Sequence, residues 1–450
     1  MKKILTLFIA ALFIVFIISG CAEKNNGSDT PTQENTTKTS ATGKTSGTEI
    51  SVLHMWPEHA EEFEKIAKNF ESETGIHVNL RVVPWDALTQ TLMTGFASGD
   101  NADVSVCWSQ QVGIFNSIGE VLDLTPYLED NNDEWKNTFL QGGLNLCAVN
   151  GKYYAIPFRG SFNVFIYNKT LFDKYGWHEP ASLEDFEREM QEMKAAGFIP
   201  IIAAGSPSGF RIANIQDNFT DQKLLADGII MRPDYLSGHY TKVKDAYAFG
   251  GQKTREWMNN DYINKYGMAM QREEGTSLFI LQRGIVTLVN NNELISMEDL
   301  AKEAGFEIGF FSFPVPEGTE KILSHCNFDS FMVSAKTKHP DEAVAFLKYL
   351  TSEEIQQEFG NKSRSVMGNS SCVYEDSFQN EFADMVASSN SYTISYDYNS
   401  GDMEGKIASI FSDFISDPEE KPEEFGAKVQ KLREEVLADA MKNKSSGEEE

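Results

Sequence analysis

The sequence predicts an α/β protein of two lobes, each built on a mainly parallel sheet that is flanked by helices. Three observations support this prediction. About 400 residues follow a polar N-terminal segment, and this is more than a single hydrophobic core usually serves. Hydrophobic residues make up 41% of the chain, which is ample for packed cores. Strand and helix patterns alternate along the sequence, as they do in proteins with parallel sheets.

The first β-α-β-α-β series lies between residues 49 and 107. Residues 49–54 have a strand pattern, and the next segment has apolar residues at the i, i+3, i+4 and i+7 positions of one helix face, up to Gly75. They are Phe63, Ile66, Ala67 and Phe70. Residues 76–82 alternate apolar and polar side chains, which predicts a strand with one buried face. A helix over residues 87–97 and a strand over residues 102–107 complete the series.

The pattern restarts after Pro157. We predict a strand over residues 164–167, and Ser182 with Asp185 resembles a capping box that opens a helix ending at Gly197. The sequence over residues 210–261 is rich in helix patterns. Further strands are expected at residues 198–203, 285–289, 307–310 and 331–334. A helix is expected to begin at Pro340, and mostly helical sequence follows Ser352.

The first 21 residues have the features of a secretory signal. Lysines precede an apolar run that ends at Ile18, and Ser19 and Gly20 come directly before Cys21. These four residues resemble the lipobox of bacterial lipoproteins, which implies a lipid-modified Cys21 at the mature N-terminus. The alternative is an ordinary secretory signal with a free cysteine nearby. No large apolar residue occurs over residues 22–48, so we expect a disordered tether there.

Charge and cysteine content exclude some classes of function. With 39 basic and 67 acidic residues the net charge is −28, which repels nucleic acid and anionic lipid and suits a neutral or cationic ligand. The seven histidines are scattered, so we expect no metal and no cofactor. Four cysteines follow Cys21, namely Cys107, Cys147, Cys326 and Cys372. They allow two disulfides in three connectivities, or four buried thiols.

Several segments together resemble a known family. They read FEKIAKNFESETGIHVNLRVV, GDNADVSVCW, GKYYAIPFRGSFNVFIYNKTLFDKYG, SLEDFEREMQEMKAAG and FMVSAKTKHPDEAVAFLKYLTSEEIQQEFG. In this order they resemble the extracellular solute-binding proteins (family 1, carbohydrate type) of ABC importers, over roughly residues 49–437. The resemblance implies a periplasmic-binding-protein fold of the maltodextrin-binding type, with a hinge between its lobes. It also implies a binding protein, not an enzyme.

The expected organisation follows from this resemblance. Residues 1–20 form a lipoprotein signal peptide and residues 21–48 a tether. The N-terminal lobe comprises residues 49–157 and 285–326, the C-terminal lobe residues 158–284 and 327–440, and an acidic polar tail covers residues 441–450. A sugar or oligosaccharide would bind between the lobes and pass to ABC permease subunits in the membrane. The protein would be a monomer, lipid-anchored on the outer face of the cell membrane of a Gram-positive bacterium.

Candidate ligand contacts are the polar and aromatic residues near the carboxyl ends of strands and at the crossovers. Ligands of α/β sheets bind at these strand ends, and sugars need aromatic faces and hydrogen-bonding groups. Each candidate is alternatively a core residue, a helix cap or a surface residue. The candidates are Trp56, Glu58, Trp85, Trp108, Ser109, Gln110, Phe158, Arg159, Ser161, Phe210, Asn291, Glu293, Asn327, Asp329, Tyr396 and Asp397.

Three specific expectations accompany these candidates. Asp103 lies within a strand and is expected to be structural. Arg159 is expected either to donate to ligand or to pair with a carboxylate at the hinge surface. Glu58 either accepts from ligand hydroxyls or complements the dipole of the following helix.

Other functions remain open from the sequence. The same fold can hold a polyamine or a peptide, and a loaded lipoprotein can dock on a sensor kinase. A polysaccharide-acting enzyme would need two carboxylates about 5–10 Å apart in a cleft. No Gly-x-Ser-x-Gly motif, metal-binding helix motif or phosphate loop occurs in the sequence, so no particular reaction is indicated.

Overall fold

The computed structural model describes residues 47–206, 211–227, 242–319, 323, 326–388 and 403–447. Within these ranges the strands are β1 (Glu49–His54), β2 (His77–Val82), β3 (Val104–Trp108), β4 (Ala148–Val149), β5 (Lys152–Tyr153), β6 (Ile156–Ser161), β7 (Asn163–Asn168), β8 (Ile199–Ile202), β9 (Gly284–Asn290), β10 (Ile308–Phe311) and β11 (Asn327–Val333).

The helices of the same ranges are α1 (Ala60–Thr74), α2 (Leu88–Ser98), α3 (Val112–Ser117), α4 (Thr125–Leu128), α5 (Gln141–Leu146), α6 (Lys169–Tyr175), α7 (Leu183–Ala195), α8 (Arg211–Ala226), α9 (Lys244–Asn259), α10 (Arg272–Ile280), α11 (Asn291–Glu303), α12 (Pro340–Leu350), α13 (Glu353–Ser363), α14 (Ser377–Ala387), α15 (Met403–Ser416) and α16 (Pro422–Gly447). Short 3₁₀ turns at Pro57–His59, Trp85–Ala87 and Ser109–Gln111 come after β1, β2 and β3.

Local sequence signals explain several element ends. Helix α1 buries Phe63, Ile66 and Phe70 on one face, as its period predicts, and it ends at Gly75 with φ +77°. Glycine adopts this left-handed conformation without the steric cost that a Cβ brings. The Ser182 hydroxyl accepts a hydrogen bond from the backbone N–H of Asp185, so the predicted cap of α7 is confirmed.

Two mixed sheets carry the fold. The first has the order β2-β1-β3-β11-β6, and the second has the order β10-β7-β9-β8. In the first sheet β11 runs antiparallel to its neighbours β3 and β6. In the second sheet β7 runs antiparallel to β9 and β10. The other strands within each sheet are parallel, so the predicted two-lobed, mainly parallel α/β architecture is confirmed, with one reversed strand per sheet.

The predicted lobe boundaries are wrong between β9 and β11. Residues 285–326 were expected in the N-terminal lobe, but they carry β9 and β10, which both hydrogen-bond to β7 in the second sheet. Residues 327–440 were expected in the C-terminal lobe, but β11 lies between β3 and β6 in the first sheet. These boundaries were expected from the resemblance, and the hydrophobic pattern of a single sequence identifies a strand without identifying the strand's partner.

Each sheet has its own aromatic core. The first core joins Phe63, Phe158 and Phe331 to α12 and α13 through Phe346 and Phe359. The second core joins β7 to α7, α8 and α9, and it includes residues of α15 and α16. Helices α12 and α13 therefore belong with the first sheet, and the chain returns to the second sheet only after them.

The cysteines after Cys21 are free thiols in the described structure. Cys107, Cys147 and Cys326 are buried, and Cys372 is half-buried. Burial raises the pKa of the Cys147 thiol to about 12, and the hydrogen bond with the Ser330 hydroxyl at 3.3 Å opposes that rise. The alternative of four thiols is therefore the one that the structure supports. None of the helices in the described ranges is both long enough and apolar enough to span a bilayer.

Candidate functional site

A cavity of about 430 Å³ lies at the carboxyl ends of β1, β2 and β3. These strands are parallel, so the residues that follow them meet at one edge of the sheet. Eight of the predicted residues line this cavity: Trp56, Glu58, Trp85, Trp108, Arg159, Ser161, Asn327 and Asp329. Eight residues that the sequence named as ligand contacts therefore line one concave surface, and their contact with a ligand stays a prediction.

A buried ion pair forms part of the cavity lining. The Arg159 Nε donates a hydrogen bond of 2.9 Å to Asp329 Oδ2, and the two side chains are 14% and 6% exposed. The Arg159 guanidinium carbon lies 5.0 Å from the ring centre of Trp56. Burial raises the pKa of Asp329, and the charge of Arg159 opposes that rise. Arg159 thus pairs with a carboxylate, which is one of its two expected roles, and it also lines the cavity. Its donation to a ligand stays a prediction.

A β-bulge in β6 explains how Arg159 comes to line this cavity. Asp329 of β11 pairs with Arg159, whereas the next residue, Ser330, pairs with Pro157. Phe158 is therefore an extra residue on β6, and bulges of this kind often redirect side chains beside functional sites. Phe158 is fully buried and packs edge-on against Phe331. It does not line the cavity, so its predicted role as a ligand contact is wrong.

Trp56 lines the cavity but is only 2% exposed. Its ring stacks with Phe63 at 5.6 Å, and Arg159 covers it. The predicted stacking of a sugar on Trp56 is therefore blocked in this structure. His54 lies beside it, and burial lowers the pKa of His54 to about 4. The expectation that Trp56 stacks on ligand is corrected to a role beneath Arg159.

Trp85 and Trp108 provide more accessible aromatic surface. Trp85 follows β2 and is 66% exposed, while Trp108 ends β3 and is half-buried. Both line the cavity together with the exposed Glu58 in the 3₁₀ turn after β1. Aromatic faces of this kind pack against the C–H patches of sugars, and carboxylates accept hydrogen bonds from hydroxyl groups.

Ser109 and Gln110 support the cavity from behind. The Ser109 hydroxyl donates to Asn327 Oδ1 at 3.1 Å, and it accepts from the backbone N–H of Phe328 at 3.2 Å. Both Ser109 and Gln110 are buried, and neither is among the cavity-lining residues. Their predicted direct contact with ligand is replaced by the positioning of Asn327, which does line the cavity.

Asn291 holds the crossover between the sheets. Its amide oxygen accepts from the Phe162 backbone N–H at 2.8 Å, and its amide nitrogen donates to the Gly160 carbonyl at 3.1 Å. Asn291 is 2% exposed, so the predicted ligand contact at this position is wrong. The next residue, Asn292, is exposed and lines the cavity.

Glu293 also has a structural role. Its side chain accepts from the backbone N–H of Asn290 at 3.1 Å, completing the capping box of α11. It also forms ion pairs with Arg211 and Arg272. The carboxylate is thus engaged by the protein and is absent from the cavity lining, so the predicted ligand contact is not supported. Asn290 also donates to the Ser161 hydroxyl at 2.9 Å, which joins the two sheets beside the cavity.

Phe210, Tyr396, Asp397 and the lipidation candidate Cys21 lie outside the described residues. Asp103 is structural as expected, because its carboxylate accepts from the Ser51 backbone N–H at 2.8 Å and from other groups.

Sequence reasoning missed four lining residues: Met55, Pro57, Pro84 and Asn292. The first three directly flank predicted residues after β1 and β2, so the same strand-end rule reaches them. Asn292 is one position from a predicted residue. Only the side-chain direction at the start of α11 distinguishes it from Asn291, and that direction is not visible in the sequence.

A larger cavity of about 920 Å³ lies elsewhere, along the edge strand β10 and α14. Its lining includes Tyr167, Glu179 and Phe310, but no residue of the first sheet. A ligand there would contact only the second sheet and its helices, so it would not link the two lobes. Among the described residues no cluster of three or more His, Cys, Asp or Glu side chains is arranged to hold a metal ion.

Comparison with known proteins identifies the family of the chain. Residues 56–357 match the family model of the bacterial extracellular solute-binding proteins. The multiple sugar-binding protein of Streptococcus mutans is 25% identical over 313 residues, covering 66% of this chain and 69% of that protein. An ABC transporter extracellular-binding protein of Pyrococcus horikoshii is 24% identical over 375 residues, covering 78% of this chain and 77% of its own.

A solved structure shows the same fold. The extracellular solute-binding protein of Staphylococcus aureus in complex with maltose superposes with a TM-score of 0.68 at 13% identity, covering 88% of this chain and 98% of that one. The family match spans more than half of the chain. The chain belongs to the bacterial extracellular solute-binding proteins, and it is a binding protein, not an enzyme.

Proposed function

We propose that this protein captures a sugar or oligosaccharide in the 430 Å³ cavity and delivers it to the permease of an ABC importer. The observation that carries the proposal is the combination of accessible indole faces with hydrogen-bonding groups in one cavity. Trp85 and Trp108 offer aromatic surface, while Ser161, Asn292 and Asn327 offer hydroxyl and amide groups. This is the chemistry that recognises a polyol with apolar C–H patches.

The volume of the cavity suits such a ligand. At about 430 Å³ it falls within the range of about 300–1,000 Å³ that is typical of small-molecule sites. The name of the Streptococcus mutans relative, a multiple sugar-binding protein, favours carbohydrate over a peptide or polyamine. The net charge of −28 does not oppose an uncharged ligand.

Binding would favour closure of the two lobes. The other lining residues lie in or directly after strands of the first sheet, whereas Asn292 lies in the first turn of α11, after β9 of the second sheet. A ligand that binds first to the tryptophan-rich wall would gain further contacts with the α11 side only when the lobes approach. Contacts made only in the closed form shift the equilibrium towards that form.

The cellular setting follows from the N-terminal sequence. The lipobox-like residues before Cys21 support cleavage and lipidation there, which would anchor the protein on the outer face of the membrane. The polar segment that follows would act as a tether, so the binding lobes would reach the permease in the same membrane. Radiolabelled palmitate incorporation in cells, compared with a Cys21→Ser variant, tests the anchor.

Thermal shift followed by isothermal titration calorimetry tests the sugar assignment. The panel contains neutral mono- and oligosaccharides of several linkages, with spermidine and a tripeptide as other ligand classes. A saccharide at 100 times its dissociation constant should add about 2.7 kcal/mol to the free energy of unfolding. Stabilisation by spermidine or the peptide with no response to any saccharide would contradict the proposal.

A further inference from the structure

The charge at the base of the cavity is balanced by one internal ion pair. Arg159 and Asp329 are cross-strand partners on β6 and β11, joined by a hydrogen bond of 2.9 Å. Both side chains are largely withdrawn from solvent, and both residues line the cavity. A ligand therefore meets a guanidinium whose positive charge is already neutralised by a carboxylate.

The pair has little freedom to separate. The two residues face each other in adjacent strands of the same sheet, so the backbone sets their spacing. The Arg159 guanidinium also lies over the ring of Trp56, at 5.0 Å from its centre. An acidic ligand cannot draw Arg159 away without leaving the Asp329 carboxylate buried and unpaired, which is strongly unfavourable.

The other charged groups around the cavity do not reverse this balance. Glu58 lies in the lining and adds negative charge. On the second-sheet side, Arg211 and Arg272 both form ion pairs with Glu293 at the start of α11. His59, in the turn after Glu58, has its pKa lowered chiefly by burial, and it is also repelled by Arg159.

We propose that the Arg159–Asp329 pair makes the cavity selective for uncharged over acidic carbohydrates, an inference that rests on the proposed sugar-binding function. The guanidinium still has N–H groups that can donate to a neutral hydroxyl or ring oxygen. A uronate carboxylate would gain no net positive partner, and it would lie near the carboxylates of Asp329 and Glu58. Its desolvation would therefore not be compensated. Asp329 is thus a specificity-determining residue that acts through Arg159.

Matched saccharides that differ only in oxidation of the C6 hydroxymethyl group test the proposal. Calorimetry at pH 7 compares galactobiose with digalacturonate, and cellobiose with cellobiouronate. A third pair consists of the neutral saccharide that binds most tightly in the wider panel and its C6-oxidised form. The wild-type protein should bind the neutral member at least about tenfold more tightly than the uronate. Equal affinities, or tighter binding of the uronate, would overturn the proposal.

The Asp329→Asn variant tests whether Asp329 causes the discrimination against uronates. It leaves the Arg159 charge unpaired, so the ratio of uronate to neutral affinity should rise about tenfold or more relative to wild type. The ratio is taken within one variant, so a general loss of affinity cancels. Asp123→Asn is the matched control, because it removes a carboxylate from the Lys152 ion pair outside the cavity. This control should keep the wild-type ratio.

Two further variants separate the pair from general charge effects. Glu58→Gln also removes one negative charge, but at an exposed position of the lining. It should change the ratio of uronate to neutral affinity by less than about threefold. A change as large as that of Asp329→Asn would contradict the specific role of the pair. Arg159→Lys keeps the charge balance but loses the planar guanidinium, so neutral affinity should fall while discrimination against uronates persists.

The outcomes distinguish the inference from the function on which it rests. Circular dichroism and thermal melting establish whether each variant is folded. If Asp329→Asn does not fold, the ratio of uronate to neutral affinity in Arg159→Lys decides the question, and the inference predicts the wild-type ratio. Loss of discrimination in Arg159→Lys would overturn the inference. Binding of neutral saccharides with an unchanged ratio in Asp329→Asn would overturn it and leave the function intact. Failure of every saccharide to bind would overturn the sugar function itself, and the inference with it.

Discussion

The buried His54 should make the stability of the protein depend on pH. His54 ends β1 and is 2% exposed. Its ring stacks on Phe63 at 4.2 Å, and its Nδ1 accepts a hydrogen bond of 3.4 Å from the backbone N–H of Trp56. Burial is the largest cause that lowers the pKa of this imidazole, and the charge of His59 adds to it. The folded protein therefore favours neutral His54.

The magnitude follows from the shift in pKa. The folded pKa of His54 is about 4, against an ordinary value of 6.5, and this difference corresponds to about 3 kcal/mol at 1.36 kcal/mol per unit. Between these two values the unfolded chain binds more protons than the folded protein does. Stability contributed by neutral His54 is therefore present above about pH 6.5, and it is lost progressively as the pH falls towards about 4.

Urea unfolding of wild type and His54→Asn from pH 7.5 to pH 4 measures this effect. The variant is less stable at pH 7.5 because it loses aromatic packing, but the wild type should lose about 2 kcal/mol more than the variant between pH 7.5 and pH 5. His77→Asn, at an exposed position of β2, is the matched control and should retain the decline caused by His54. Parallel stability curves for wild type and His54→Asn would refute the reasoning.

Three further predictions concern the crossover, the cavity mouth and the thiols. Asn291→Ala removes two buried hydrogen bonds and should lower the free energy of unfolding, measured in urea, by about 2 kcal/mol. Asn292→Ala, at an exposed position, should lower it by less than about 0.5 kcal/mol. Equal losses in the two variants would contradict the structural role of Asn291. Trp85→Ala should weaken the affinity for the most tightly bound saccharide by about tenfold in calorimetry. Tyr175→Ala, which removes an exposed aromatic ring of α6, should leave this affinity unchanged. An unchanged affinity in Trp85→Ala would contradict the proposed contact between Trp85 and the ligand. The buried thiols should react with Ellman's reagent only after unfolding, and fewer than four reactive thiols from the four cysteines after Cys21 would indicate a disulfide.

Most helices and strands were predictable because their signals are local. The period of Phe63, Ile66 and Phe70 identified α1, and Gly75 marked its end. β11 shows where local signals fail. Its predicted start was residue 331, but the strand begins at Asn327. Polar residues at its start, including Asp329, are stabilised by neighbouring strands that the sequence does not identify.

The site was predictable in position more than in detail. Parallel strands bring their carboxyl ends together, so a general rule placed Trp85 and Trp108 at the same edge of the sheet. Asn327 begins the antiparallel strand β11 and was named instead as a residue of an expected crossover. The side-chain direction of Phe158 depends on a bulge opposite Asp329, which has no signal in a single sequence. The exchange of residues 285–326 with the start of β11 has a related cause, since strand pairing is a long-range property.

The structure of the protein bound to its tightest neutral saccharide tests the central claim most directly. We predict that the saccharide occupies the 430 Å³ cavity, packs on Trp85 or Trp108 and hydrogen-bonds to Arg159, with Asn292 closer to the first sheet than in the unbound protein. A saccharide bound instead in the 920 Å³ cavity along β10 and α14, with no contact to the first sheet, would contradict the account.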